Sequence, residues 1–114
     1  MSGKITAALE VLGTEWHVTL CFCDAEKLGK FRTSSKEKAG IVVGVEYWER
    51  VDLTVLIIRS SFANERHGYY KSLGYTYAYD FIPHATVGKG DLVNQYLSYI
   101  GRKIVLGNEY ARTF

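Results

Sequence analysis

His17-Val18-Thr19-Leu20 and His84-Ala85-Thr86-Val87 carry one pattern twice, a histidine followed two residues on by a threonine. Both stretches are short and rich in Val, Thr and Leu, and they read as strands. In a strand, residues two apart share a face, so His17 and Thr19 project one way while Val18, Leu20 and Phe22 project the other and enter the core. The same alternation sets His84 and Thr86 against Ala85 and Val87. Two such strands brought together present two imidazoles and two hydroxyls to one cleft. Imidazoles titrate near neutral pH, so one can accept a proton while the other donates one, and hydroxyls can hold phosphate oxygens. That set suits phosphodiester cleavage without a metal. The plainer alternative is a pair of half-buried histidines bonded to neighbouring strands, with threonine present for its strand preference.

Around the motifs, strand-like runs occupy 5–12, 17–23, 41–47 and 53–59. The run from Leu53 to Ile58 is apolar on both faces and is expected at the centre of a sheet. The polar stretch 24–38 reads as a loop with one short helical turn. Ser60 and Ser61 offer N-caps for a helix that carries Phe62, Arg66, Tyr69, Tyr70 and Leu73 on one side and ends at Gly74. Tyr75, Tyr77 and Tyr79 alternate with polar or small residues, which is strand periodicity, and the chain continues through Pro83 into a strand over 84–88. A second helix is predicted from Asp91, with Leu92, Tyr96, Leu97 and Ile100 inward and a stop at Gly101, before a last strand over 103–111. This order predicts one α+β domain covering 1–114, with mostly antiparallel sheets and flanking helices.

Composition narrows the function. The chain has 114 residues, 47% of them hydrophobic, and a formal charge of +2 from 14 basic and 12 acidic residues. A near-neutral domain is not built to coat duplex nucleic acid, because that binding is driven by neutralising many phosphates at once. A small phosphorylated ligand stays open. The longest apolar run, Val55-Leu56-Ile57-Ile58, is far short of a membrane span, and the first residues lack the apolar segment of a signal peptide, so a cytoplasmic protein is expected. Cys21 and Cys23 sit two apart in one predicted strand with their side chains pointing the same way, so they are expected to remain reduced thiols. A zinc site built from His17, His67 and His84 is disfavoured, because no Asp or Glu stands at a ligand spacing and His67 falls on the predicted helix as a surface residue. No metal and no cofactor is implied, and nothing fixes an oligomeric state.

With the motifs HVTL at 17–20 and HATV at 84–87, the chain resembles the two-histidine (2H) phosphoesterase superfamily, which carries a pair of HxT motifs on strands of two pseudo-symmetric lobes. Within it the chain is similar to the compact phage phosphodiesterases that degrade the cyclic oligonucleotide signals of the bacterial CBASS defence system. The stretches that carry this likeness are Glu15-Trp16-His17, Trp48 placed 31 residues after His17, Phe81-Ile82-Pro83-His84, and Gly107-Asn108-Glu109-Tyr110. The chain is shorter than is usual there, with a short N-terminus and a short 24–38 connection, which would alter the preferred ligand size.

The resemblance implies a two-lobed 2H phosphoesterase, or RNA ligase-like, fold with His17, Thr19, His84 and Thr86 on the floor of the cleft between the lobes. It implies that one histidine activates a ribose 2′-OH or water, that the other protonates the leaving 5′ oxygen, and that Thr19 and Thr86 hold the non-bridging oxygens. The implied substrate is a cyclic di- or trinucleotide such as 3′,3′-cGAMP, cut at its 3′-5′ bonds in the host bacterial cytoplasm. Trp48, Tyr79, Lys89 and Glu109 are the expected substrate-binding residues, Trp48 and Tyr79 by stacking, Lys89 by approach to a phosphate and Glu109 by a base-edge contact. Their ordinary readings are a rim aromatic, a packed sheet face, a solvated loop lysine and a surface carboxylate. Rival functions are an RNA-processing 2′,3′-cyclic phosphodiesterase, a protein that sequesters nucleotides without cutting them, and a structural interaction protein.

Overall fold

The computed structural model describes residues 3–25, 31–75 and 80–113. Its strands are β1 (Gly3–Val11), β2 (His17–Ala25), β3 (Lys38–Trp48), β4 (Leu53–Arg59), β5 (His84–Lys89) and β6 (Lys103–Thr113), with helices α1 (Ser61–Ser72) and α2 (Val93–Tyr96). The expected strand at Tyr75, Tyr77 and Tyr79 falls largely on 76–79, outside the described residues.

The two-lobed α+β architecture does not occur. The hydrogen-bonded strand order is β1-β2-β5-β4-β3-β6, and β6 returns to β1, so the six strands form one closed antiparallel barrel. The second-motif strand β5 lies between β2 and β4, both of which precede α1 in the chain, so no boundary separates two lobes. Closure gives each of these six strands two neighbours and leaves no open sheet edge among the described residues. β4 shows why this chain can close. It pairs β3 on one side and β5 on the other, and Thr54, Val55, Leu56 and Ile58 are all buried, in keeping with its apolar reading on both faces.

Helix content is also smaller than expected. α1 forms where predicted: the Ser60 hydroxyl accepts the Ala63 N–H at 3.0 Å, and the helix ends where Gly74, at φ +93°, donates to Lys71 O while Tyr75 N–H donates to Tyr70 O, each at 3.0 Å. That paired closure needs a left-handed residue after the last turn, which glycine adopts at little cost. α1 inserts Phe62, Ala63 and Tyr70 into a core with Ile5, Leu9, Val18, Leu20, Ala85 and Leu106. The second predicted helix contracts to the four residues of α2 and a 3-10 turn at Leu97–Tyr99. Val42 N–H donates to Arg102 O and Gly101 N–H to Val42 O, so the end of this segment is pinned against β3 and cannot continue as a helix. Leu97 and Ile100, expected inward, are accordingly exposed. Of the 24–38 stretch, 24–25 extend β2 and Lys38 begins β3, and the remaining described residues, 31–37, hold no helical turn.

Two bulges reverse the expected facing of particular side chains. On β2, Thr19 stands opposite Ala8 and Cys21 opposite Ala7, which leaves Leu20 as an extra residue facing none on β1. An extra residue flips the alternation beyond it. Leu20 and Cys21 are therefore both fully buried, and Phe22, expected in the core, is 47% exposed. On β6 the register slips again between Tyr110 opposite Ala8 and Gly107 opposite Glu10. Asn108 takes up the slip at φ 47°, a left-handed conformation that Asn tolerates, and Glu109 turns into the interior.

Candidate functional site

β2 and β5 meet where Val18 stands opposite Ala85, the residue after each histidine. In an antiparallel pair, stepping forward on one strand steps back on the other, so His17 falls across from Thr86 and Thr19 across from His84. The seam thus carries both motifs on one face, each histidine facing the other motif's threonine. Val18 and Ala85 are fully buried and hold the seam from the core side. His17 and Thr86 are exposed, and Thr19 and His84 are half-buried. The motifs come together as the alternation requires, on neighbouring strands of one barrel and not in a cleft between lobes. The same lines run on across the sheet: His84 stands opposite Ile57 and Thr86 opposite Val55, and Val55 stands opposite Glu46.

The His84 ring is oriented by its own strand entry. Its Nδ1 lies 2.7 Å from Ile82 O, and because a carbonyl only accepts, Nδ1 carries the proton. The outward nitrogen is then Nε2, which accepts a proton when the ring is neutral and donates one when it is charged. Trp48 packs on this ring, with centroids 4.5 Å apart and planes at 55°. Trp48 Nε1–H in turn donates to Glu46 Oε1 at 3.0 Å. Glu46 was not among the expected site residues. The only signal for it in the sequence is the alternation that places it two residues before Trp48, on the same face of β3.

The remaining expected residues separate. Lys89 is exposed at the other end of β5 from His84, roughly 16 Å along the strand. Beyond it, Gly90 N–H donates to Asp52 O and Gly90 O accepts from Thr54 Oγ1 at 2.6 Å, which fixes the turn that carries the lysine. Tyr79 lies outside the described residues. Glu109 is buried in a network of its own: Arg66 Nε donates to Oε1 at 2.6 Å, and Oε2 accepts from Arg66 Nη2 at 2.7 Å, Tyr70 Oη at 2.8 Å and Ser34 N–H at 3.1 Å. Burial and that bond push the Tyr70 phenol well above its usual range, and the carboxylate raises Arg66. Beside this network, α1 and residues 32–36 border an open surface pocket of roughly 440 Å³ lined by Arg32, Ser34, Lys36, Phe62, Arg66 and Tyr69, which shares no residue with the motifs.

His67, expected as a surface residue, is half-buried; its Nδ1 lies 2.7 Å from Leu20 O and its ring stacks on Phe81 at 4.0 Å. Among the described residues no group of three or more His, Cys, Asp or Glu is placed to hold a metal ion.

A family model described as anti-CBASS protein Acb1 matches residues 3–114, which include both HxT motifs, Glu46, Trp48 and Glu109. The chain belongs to the Acb1 family. Membership indicates a phage protein that counters CBASS defence. No curated protein matches the chain. Among the described residues, no helix of this Acb1-family chain is long and apolar enough to cross a membrane.

Proposed function

We propose that this chain is a two-histidine phosphodiesterase that works without a metal and opens a cyclic di- or trinucleotide immune signal at a 3′-5′ bond. The observation that carries this reading is the antiparallel register of Val18 against Ala85, which aligns two His-x-Thr motifs head to tail on one face. In this reading one imidazole takes the proton from the attacking hydroxyl, a ribose 2′-OH or a water. The new oxygen–phosphorus bond forms as the bond to the 5′ oxygen breaks, and the other imidazole delivers a proton to that leaving oxygen. Attack by the 2′-OH gives a 2′,3′-cyclic phosphate that the same pair can open with water. Thr19 and Thr86, each across from a histidine, donate their hydroxyls to the non-bridging oxygens as charge builds there. The indole of Trp48, fixed by Glu46 against His84, offers a base-stacking surface beside the reacting phosphate. Lys89, at the other end of β5 from His84, is a candidate for a contact to the far side of a cyclic ligand, Tyr79 for a stacking contact, and Glu109 for a contact made through the groups that already hold it. The Acb1-family match supports a signal of CBASS as the substrate and the host cytoplasm as the place of action.

The test is incubation of the purified protein in EDTA with cyclic dinucleotides, cyclic trinucleotides and a 2′,3′-cyclic mononucleotide, beside His17→Ala and His84→Ala. Turnover of a cyclic oligonucleotide that both substitutions abolish is the expected result. A ligand retained intact by the wild-type chain would instead make it a sequestering protein.

A further inference from the structure

The strands that carry the motifs are joined by one registered pair, Val18 with Ala85, whereas β5 on its other side is registered with β4 from Leu53–Lys89 through Ile57–His84. On its other edge β2 is also interrupted: the extra residue Leu20 faces none on β1. Geometry this lightly tied must be held from elsewhere if two imidazoles are to keep a fixed separation.

His67 of α1 is placed to do so. Its Nδ1 reaches Leu20 O at 2.7 Å, and since the carbonyl only accepts, the ring donates to the one β2 residue that the bulge removes from the β1 register. The same ring lies flat on Phe81, with centroids 4.0 Å apart and planes at 2°. Phe81 opens the segment that leads into β5, in which Pro83 O accepts from Ile58 N–H at 2.9 Å and Ile82 O accepts from His84 Nδ1. One side chain thus touches β2 one residue after Thr19 and the approach to β5 three residues before His84.

Resting on the phosphodiesterase reading, we infer that His67 is a positioning residue, a clamp from α1 that holds the two HxT strands in the register the reaction needs. It touches no reacting atom. A displacement of about 1 Å between reacting groups costs on the order of a hundredfold in rate while leaving ground-state contacts largely in place. His67→Ala is therefore expected to lower kcat about tenfold to a hundredfold with KM changed less than about threefold. His67→Phe keeps the stack on Phe81 and His67→Asn keeps a donor for Leu20 O, so each is expected to fall between His67→Ala and the wild type.

Hydrogen exchange followed by mass spectrometry supplies the readout that does not depend on turnover. In His67→Ala, exchange is expected to quicken in peptides covering 17–23 and 81–88 while peptides from β3 and β6 keep their protection. Unchanged kcat with unchanged seam exchange overturns the clamp. So does exchange quickened equally throughout the barrel, which would make His67 a general stabiliser. If the wild-type chain hydrolyses none of the cyclic nucleotides, the phosphodiesterase reading fails, and the exchange pattern still decides whether His67 holds the seam.

Discussion

Glu109→Gln tests whether the carboxylate on β6 acts as a buried keystone. Its side chain is 0% exposed and that of its Arg66 partner 13%. The substituted amide has one favourable orientation: its oxygen takes the place of Oε2, which accepts from Arg66 Nη2, Tyr70 Oη and Ser34 N–H. Its NH2 then faces Arg66 Nε–H, donor to donor, where 2.6 Å separates the native pair. A charge-assisted bond worth about 1.5–3 kcal/mol is lost, and the guanidinium is left without a counter-charge. Breaking a buried pair costs about 3–5 kcal/mol; the low end applies because Arg66 Nη2 keeps its bond to Arg32 O at 2.6 Å. At about 2.1 cal/mol/K per residue, 114 residues give an unfolding entropy near 0.24 kcal/mol/K, so a loss of about 3 kcal/mol lowers Tm by roughly 12 °C. Thermal and urea unfolding monitored by circular dichroism measure this. Adding Arg66→Met should recover part of the loss, because no uncompensated charge then remains. A fall in Tm of less than about 3 °C would refute the reasoning, since no enclosed ion pair loses a charge so cheaply.

Two further outcomes follow from the geometry. The Cys21 thiol is pushed up from 9.0 to about 11, first by burial and then by Cys23. Its folded-state pKa is raised, so its contribution to stability is complete below pH 9 and is lost as pH rises from 9 through 11; Cys21→Ala should flatten that part of a urea-midpoint profile, and an unchanged profile would exclude the thiol as its source. Trp48→Ala removes the ring packed on His84 at 4.5 Å. With stacking worth about 1–3 kcal/mol, calorimetry on a His17→Ala background should show the Kd for a cyclic dinucleotide rising at least about fivefold, and equal affinity would place the base elsewhere.

The pairing of the two motif strands could be read in part from the chain because its signals are local. The two HxT motifs need only strand alternation to place histidine and threonine on one face, and the strands do lie side by side in register. The Ser60 cap and the Gly74 stop depend on hydrogen bonds within a few residues, and both formed as expected. The apolar run of β4 signalled two paired sides and has them. The misplaced residues answer to causes beyond the reach of local signals. Phe22 and Glu109 lie beyond bulges, and a single inserted residue inverts every side chain that follows. His67 departs from its expected surface place because its partners, Leu20 and Phe81, are far from it in sequence, and a helix surface becomes an interior only where another element covers it.

By itself the sequence determined which residue types alternate, where chain direction changes and which side chains could transfer protons. Those properties reside in single residues and near neighbours. Tertiary structure alone decided that six strands close into one barrel in place of two lobes, that Glu109 is locked by Arg66 and Tyr70, and that Trp48 rests on His84. Each of these depends on which strand edges satisfy one another across long stretches of chain. That competition is settled by the free energy of the whole hydrogen-bonded ring, in which every strand choice limits the rest.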